Sequence, residues 1–347
     1  MPEIVGEYVD RLVTVTMKPK RRITKSGSTL SQRDHVHRLY DTAREKLGAP
    51  LTYLAARLLL DRVGPGETVF LVTGAGGPPV RPVGEVDGYL GAAAITRAMM
   101  FGRKANVVFV SDDWAWEPLL ATCRGADLIL KRPGEEYMAI SATFETMPRD
   151  HEPCERRATE LLDQYRPKAI VAVERLGPNH KEVTHNGTGI SRDPTQGKTQ
   201  YLFDQAAARG IATVGIGDGG NEIGFGLIVD AVREILPHGL RCQCPCQGGM
   251  ACRVTTDVLV VAAISDWGGY GVAANIAFQL EKPGAMINAD MLERMLRNCV
   301  EAGALDGQSA LPELADDGVP LIAHRACVDI LNTLITIAAS EVDDPAH

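Results

Sequence analysis

The densest set of reactive groups lies in Gly215-Ile216-Gly217-Asp218-Gly219-Gly220-Asn221-Glu222-Ile223-Gly224, where five glycines surround an Asp, an Asn and a Glu. Glycines permit positive φ and close backbone approach. The carboxylates of Asp218 and Glu222 are hard oxygen ligands, suited to a divalent cation or a substrate amine. A tight turn with a capping Asn is the plainer alternative. The β-prone run Ile211-Ala212-Thr213-Val214 precedes the stretch, and Ile223, Leu227, Ala231 and Ile235 recur behind it at helical spacing. The spacing therefore predicts a strand-to-helix turn, whose helix amides would be free to meet an anion.

Three more apolar runs end in polar, glycine-containing turns. Residues 69–72 lead into Thr73-Gly74-Ala75-Gly76-Gly77-Pro78-Pro79 and then Glu85-Val86-Asp87-Gly88. Glu85 and Asp87 either favour the dipole of the helix expected over 89–101 or face the glycine loop as a carboxylate pair. Residues 169–173 are wholly apolar, as a buried parallel strand requires. They end in Glu174-Arg175, followed by a long polar loop with His180, His185, Asn186 and Ser191. A structural ion pair is the alternative reading of Glu174-Arg175. Residues 258–264 end in Ser265-Asp266-Trp267-Gly268-Gly269-Tyr270-Gly271, with a helix expected from about Ala273.

Several motifs fail on inspection. Pro79 stands where a dinucleotide fingerprint needs its third glycine, and Arg192 stands where Gly197-Lys198-Thr199 needs the first glycine of a phosphate loop. No nucleotide cofactor is expected. There is no Gly-x-Ser-x-Gly elbow for a nucleophilic serine. Gly217-Asp218-Gly219 resembles the start of a thiamine-diphosphate metal motif, but positions 242–249 hold Cys, Gln, Pro and Gly where that motif needs asparagine. Cys242, Cys244, Cys246 and Cys252 alternate rather than form two separated pairs, the usual zinc pattern. Reduced cysteines in a glycine-rich loop are the expectation, with zinc or iron–sulfur ligation as the alternative.

Strands expected at 69–72, 106–110, 127–130, 137–140, 169–173, 211–214 and 258–264 alternate with helices near 116–123, 152–165, 199–209, 288–301 and 319–339. This alternation predicts a three-layer α/β/α fold with a mostly parallel sheet. Residues 1–62 form a helical lead packed on the main domain, 63–340, and 341–347 form a tail. The lead carries a weak stripe (Ile4, Tyr8, Leu12, Val15), then helices broken near Gly48-Ala49-Pro50, with Leu54, Leu58 and Leu59 along one face. The last helix is expected to pack through Ile322, Ala326, Ile330 and Leu334. Ligands of open α/β sheets bind at the carboxyl edge of the strands. Four turns there would converge Glu85, Asp87, Glu174, Asp218, Glu222, Asp266, Arg175, His185 and Asn186, a set suited to Mg²⁺ or Mn²⁺ and acid–base work.

Composition is that of a globular enzyme, with 45% hydrophobic and 23% charged residues. A net charge of −8 argues against a general nucleic-acid surface; Lys18, Lys20, Arg21, Arg22 and Lys25 read as a solvated loop or an anion contact. The chain opens with Glu3, Glu7 and Asp10 among apolar residues, unlike a signal peptide. The apolar segment 319–340 is interrupted by His324, Arg325 and Asp329, so no membrane span is expected. A cytoplasmic protein with reduced cysteines follows.

The block Gly215–Gly224 with Phe225-Gly226 resembles the D-glutamate cyclase-like family. So do Glu174-Arg175 with Gly177, Asn179 and the downstream His185-Asn186, together with Glu85-x-Asp87-Gly88, Cys246 to Cys252, Asp266-Trp267-Gly268-Gly269-Tyr270 and Asp10-Arg11-Leu12. Gly187-Thr188-Gly189, and the additional Cys242 and Cys244, depart from the family pattern. The resemblance implies a hydro-lyase that interconverts D-glutamate and 5-oxo-D-proline, aided by Mn²⁺ or Mg²⁺ on Asp218 or Glu222. Glu174, Asp218 and His185 would be catalytic, and the turn amides at 217–221 would stabilise charge. Substrate contacts would come from Thr73, Gly76, Gly77, Glu85, Asp87, Arg175, Asn186, Gly219, Gly220, Asn221, Asp266 and Gly268. The partner is a small amino acid or lactam, and a homo-oligomer is compatible with it. Alternatives are a cyclase or hydrolase of another lactam, and a non-catalytic small-molecule binder.

Overall fold

The computed structural model describes residues 1–17 and 32–340. The basic group at 18–25 and the tail at 341–347 lie outside the described residues. In chain order the elements are α1 (Pro2–Val13), α2 (Gln32–Leu47), α3 (Leu51–Arg62), β1 (Thr68–Thr73), α4 (Tyr89–Arg97), β2 (Asn106–Ser111), α5 (Trp116–Gly125), β3 (Leu130–Lys131), β4 (Ala142–Thr146), α6 (His151–Tyr165), β5 (Ala169–Val173), α7 (Gln200–Ala206), β6 (Ala212–Gly217), α8 (Val229–Ile235), β7 (Val258–Val261), α9 (Ser265–Gln279), α10 (Ala289–Glu301), β8 (Ala315–Asp316), β9 (Val319–Pro320) and α11 (Leu321–Ser340).

Seven strands form one parallel sheet in the order β3-β4-β2-β1-β5-β6-β7. From β1 the chain moves to β2 on one side, then returns to β5 on the other. Thr73 lies beside Val173, and Val173 beside Ile216. With right-handed crossovers, that reversal places α4 and α7 on opposite faces. The α/β architecture is therefore as expected from the alternation of elements. The reversal also opens a crevice between the carboxyl ends of β1 and β5, the switch point at which such sheets bind ligands.

The helical lead shares the main core. Asp10 accepts hydrogen bonds from the backbone amides of Leu51 (2.6 Å) and Thr52 (3.1 Å) at the start of α3, and from the Tyr40 hydroxyl (2.9 Å). A buried carboxylate thus satisfies the free amides of a helix that begins after Pro50. Val5, Val9, Val13, Leu51, Ala55 and Leu59 join the same hydrophobic cluster as the sheet.

Five element readings need correction. In α1, Ile4 and Tyr8 are exposed and Val5, Val9 and Val13 are buried; in α11, Ile322, Ala326 and Ile330 are exposed and Cys327, Val328, Leu331 and Ile335 are buried. Both helices carry apolar residues on two faces, so periodicity alone could not choose between them. The strand expected at 137–140 is absent, Met138 and Ile140 being exposed, and β4 begins at Ala142. The helix after β6 begins at Val229 rather than at the glycine turn. Conversely, 265–271 is not a turn but the first two turns of α9. Among the described residues one helix, α11, is long and apolar enough to cross a membrane; here its buried face packs within the main core.

Candidate active site

At the switch point the backbone of Glu174 turns sharply at φ 46°, a left-handed conformation uncommon for a side chain of its kind. The loop after β5 is zipped to the loop after β6: the Ile223 amide donates to the Arg175 carbonyl (2.8 Å) and the Gly177 amide to the Asn221 carbonyl (2.9 Å). This pairing brings carboxylate oxygens of Glu174, Asp218 and Glu222 within 4.8 Å of one another. Asp87, Asp218 and Asp317 form a second such group, which shares Asp218 with the first.

The concentration of negative charge has consequences. Burial, then the neighbouring Glu222, Asp87 and Asp218, push the Glu174 carboxyl well above the ordinary carboxylate range. The Ser265 hydroxyl donates to its Oε2. Glu222 is anchored through Oε1, which accepts the amides of Asp218 (3.2 Å) and Gly219 (2.8 Å), whereas its buried Oε2 has no hydrogen-bond partner among the described residues. A set of hard oxygens with surplus negative charge and an orphaned buried carboxylate oxygen fits Mg²⁺ or Mn²⁺ held by Asp218 and Glu222, beside the Glu174 carboxyl group. Open grooves elsewhere, one beside the amino ends of β5 and β6 and one near Met147, are lined by surface ion pairs such as Arg209–Asp163 and Arg149–Asp113.

Asp87 and Asp266 cross-cap two helices. Asp266 Oδ1 accepts the amides of Gly88 (2.9 Å) and Gly91 (2.6 Å) at the start of α4, while Asp87 Oδ1 accepts the Asp266 amide (2.8 Å) at the start of α9. Asp87 thus does favour a helix dipole, but that of α9 rather than of its own α4. Burial raises the Asp266 carboxyl to about 7, against the opposing hydrogen bonds from the α4 amides and Asp316. Gly268 is a packing residue: a Cβ there would lie 2.6 Å from Ile216 Cγ2.

Other expected site residues are placed elsewhere by the fold. Arg175 is fully buried, and its guanidinium donates to Asp112 (2.5 Å), to the carbonyls of Gly74 (2.9 Å) and Gly197 (2.7 Å), and to Thr199 (3.0 Å). It clamps the loops after β1 and β2 to the start of α7, as the structural ion-pair alternative required, though its partner is Asp112 rather than Glu174. His185 turns away from the carboxylates, with Nε2 3.2 Å from Cys244 Sγ. Asn186 Oδ1 accepts the amides of Thr188 and Ile190 and so shapes its own loop. The turn amides at 218 and 219 serve Glu222, leaving them unavailable to a substrate oxyanion. Asn221 Nδ2 donates to the His185 carbonyl (3.0 Å). Gly220 is required at φ 87° against Val232 and Leu236.

The carboxyl end of β1 lies close to Glu174, across Gly88. Thr73 Oγ1 is buried without a partner among the described residues, and a Cβ on Gly88 would lie 2.7 Å from it and 2.8 Å from Glu174 Cβ. Gly76 and Gly77 hold φ 96° and 89°, folding the loop back so that Glu85 pairs with Arg81 (3.2 Å).

Sequence reasoning missed Ser265 as a partner of Glu174, and it missed Asp317 and Arg192. Asp317-Gly318 is the two-residue turn of the β8–β9 hairpin, with φ 51° and 76°. An Asp-Gly pair is the strongest short-range hairpin signal and could have drawn attention to it. Arg192 is half-buried and has no side-chain hydrogen bond among the described residues. Burial, then the nearby Arg81, lower its pKa, while Glu85 opposes them.

The family described as "D-glutamate cyclase-like, C-terminal" matches residues 17–332 of the chain. Human D-glutamate cyclase, mitochondrial, is 29% identical over 196 residues, which amount to 50% of this chain and 30% of the human protein. The matched region is thus under a third of that relative's length. With the match running from just after α1 through most of α11 and including every strand of the sheet, the chain belongs to the D-glutamate cyclase-like family.

Proposed function

We propose that this protein is a hydro-lyase that interconverts D-glutamate and 5-oxo-D-proline with a divalent cation. The observation that carries the reading is the convergence of Glu174, Asp218 and Glu222 at the switch point, where burial and the acidic neighbours push the Glu174 carboxyl upward. Family membership and the name of the human relative support it. Bound Mg²⁺ or Mn²⁺ would supply Lewis-acid polarisation of the γ-carboxyl group.

Cyclisation moves two protons from the substrate ammonium to one carboxyl oxygen, forms a C–N bond and breaks a C–O bond, releasing water. Asp218, the more exposed carboxylate, takes the first ammonium proton and frees the amine to attack the γ-carbon. Glu174 gives its proton to the departing oxygen and is then re-protonated by the amine nitrogen as the amide forms. The proton on Asp218 completes the water. Each transfer is general acid–base chemistry by a positioned carboxyl group. Ser265 orients Glu174 by its hydrogen bond. Arg192, which has Arg81 and Glu85 as neighbours, would receive the α-carboxylate, since the guanidinium of Arg175 is buried and already paired. Folding the substrate into its ring-closing conformation contributes further rate.

Incubation of the purified protein with 5-oxo-D-proline and Mn²⁺ should yield glutamate, and the reverse reaction should proceed from D-glutamate. No turnover of either compound with Mn²⁺ or Mg²⁺ would overturn the proposal. A reducing compartment such as the cytoplasm suits eight cysteines that form no disulfide; the human relative's name places that protein in mitochondria.

A further inference from the structure

The four-cysteine loop was the motif that the carboxylate site did not absorb. It lies between α8 and β7, and the fold brings it against the loop that follows β5. There Cys242 Sγ is 3.5 Å from Cys244 Sγ and 3.3 Å from Cys246 Sγ, while His185 Nε2 is 3.2 Å from Cys244 Sγ and 3.5 Å from Cys246 Sγ. All four ligand atoms lie within 4.8 Å of one another. A tetrahedral zinc with Zn–S near 2.3 Å and Zn–N near 2.0–2.1 Å sets ligand–ligand edges of about 3.8 Å between sulfurs and about 3.6 Å between sulfur and nitrogen. The four distances fall just inside those edges, as four donors around a small empty centre should. The sulfurs are far beyond the ~2.05 Å of a disulfide.

We infer that Cys242, Cys244, Cys246 and His185 form a Cys₃His zinc site, separate from the carboxylate cluster. Three thiolates and one imidazole in tetrahedral proximity select zinc over the hard cations that suit the carboxylates. Four protein ligands close the coordination sphere, which makes the site structural.

The surroundings are those of a metal centre. Sγ of Cys246 accepts the Gly248 amide (3.4 Å) and the Asn179 amide group (3.5 Å), hydrogen bonds that stabilise a thiolate. Asn179 also donates to the Gly249 carbonyl (2.7 Å), and Lys181 Nζ donates to the Cys246 carbonyl (2.7 Å), so the two loops are fastened around the ligands. Cys252, the fourth cysteine of the motif, is excluded: it is fully buried elsewhere and accepts the Val254 amide. The ligand spacing is therefore Cys-x-Cys-x-Cys plus a distant His, which is why the paired-cysteine rule did not find it. The site also reaches the opening glycine turn, because the carbonyl of ligand residue His185 accepts the Asn221 side chain, next to Glu222. Zinc would thus staple the loops after β5 and β6 behind the carboxylates.

Metal analysis of the full chain, purified without added metal and dialysed, tests the assignment independently of turnover. About one zinc per chain is expected, together with cobalt(II) substitution giving the intense thiolate-to-metal absorption of a tetrahedral sulfur-rich site. C244S and H185A should each lower retained zinc at least about tenfold, while C252S should retain it. Should C244S and H185A fail to fold, the wild-type zinc and cobalt measurements still decide. Metal-free wild-type protein in which Cys242, Cys244 and Cys246 titrate freely, or a mass loss reporting a Cys242–Cys246 disulfide, would overturn the assignment. So would C244S retaining full zinc.

Discussion

At the scale of single residues, the site depends on which carboxyl groups are left without a backbone partner. Asp87 and Asp266 are committed to helix amides and Glu222 is half committed, whereas Glu174 meets a hydroxyl and like charges. Glu174→Gln keeps the shape and removes the proton donor, so activity should fall about 10²–10⁴-fold with the thermal midpoint of unfolding little changed; activity within a few-fold of wild type would remove Glu174 from the mechanism. Arg192→Ala should raise KM for D-glutamate about 10- to 100-fold with a smaller change in kcat, because a charged hydrogen bond to the substrate carboxylate is lost. An unchanged KM would assign the carboxylate to another group. Asp218, Glu174 and Glu222 were legible from residue type and strand-end position. The burial of Arg175 was not, because Asp112, Gly74, Gly197 and Thr199 come from distant segments and no spacing along the chain reports them.

At the scale of elements, α4 and α9 are locked by exchanged carboxylates and by close helix contact. A Cβ on Gly269 would lie 2.6 Å from the Gly91 Cα, a backbone atom with no freedom to move aside, whereas one on Gly268 meets the side chain of Ile216. Gly269→Ala should therefore destabilise the protein by about 1–3 kcal/mol in urea unfolding, and Gly268→Ala by less. The packing demand also explains why 265–271 is helix despite its three glycines, each of low intrinsic propensity. Burial raises the Asp266 carboxyl from the ordinary aspartate range to about 7, so its contribution to stability is present at acid pH and is lost as pH rises through about 7. Asp266→Asn retains an acceptor for the α4 amides and removes the buried charge. Its unfolding midpoint relative to wild type should rise as the pH goes from about 5 to 8; a pH-independent difference would show that this carboxyl group does not titrate in the folded protein.

At the scale of the whole molecule, the lead is part of the core rather than an appendage. Asp10 caps α3, and α3 packs on α9, which carries Ser265 and Asp266. A chain lacking residues 1–62 should lose cooperative unfolding and bind hydrophobic dyes, because the apolar faces of α9 and β7 would be exposed. A soluble truncated domain with a sharp transition would contradict this.

The amino-acid sequence by itself determined the alternation of strands and helices, the parallel sheet and the edge where chemistry collects, since those follow from local periodicity and from glycine after an apolar run. It did not determine which face α1 and α11 bury, because both faces of each are apolar. Nor did it determine the order of the strands, which sets the switch point between β1 and β5. Only the tertiary structure decided that Glu174 meets Ser265 and that Arg175 meets Asp112. It alone turned His185 from the carboxylates to three cysteines some sixty residues away, contacts made by loops whose separation in sequence carries no periodic signal.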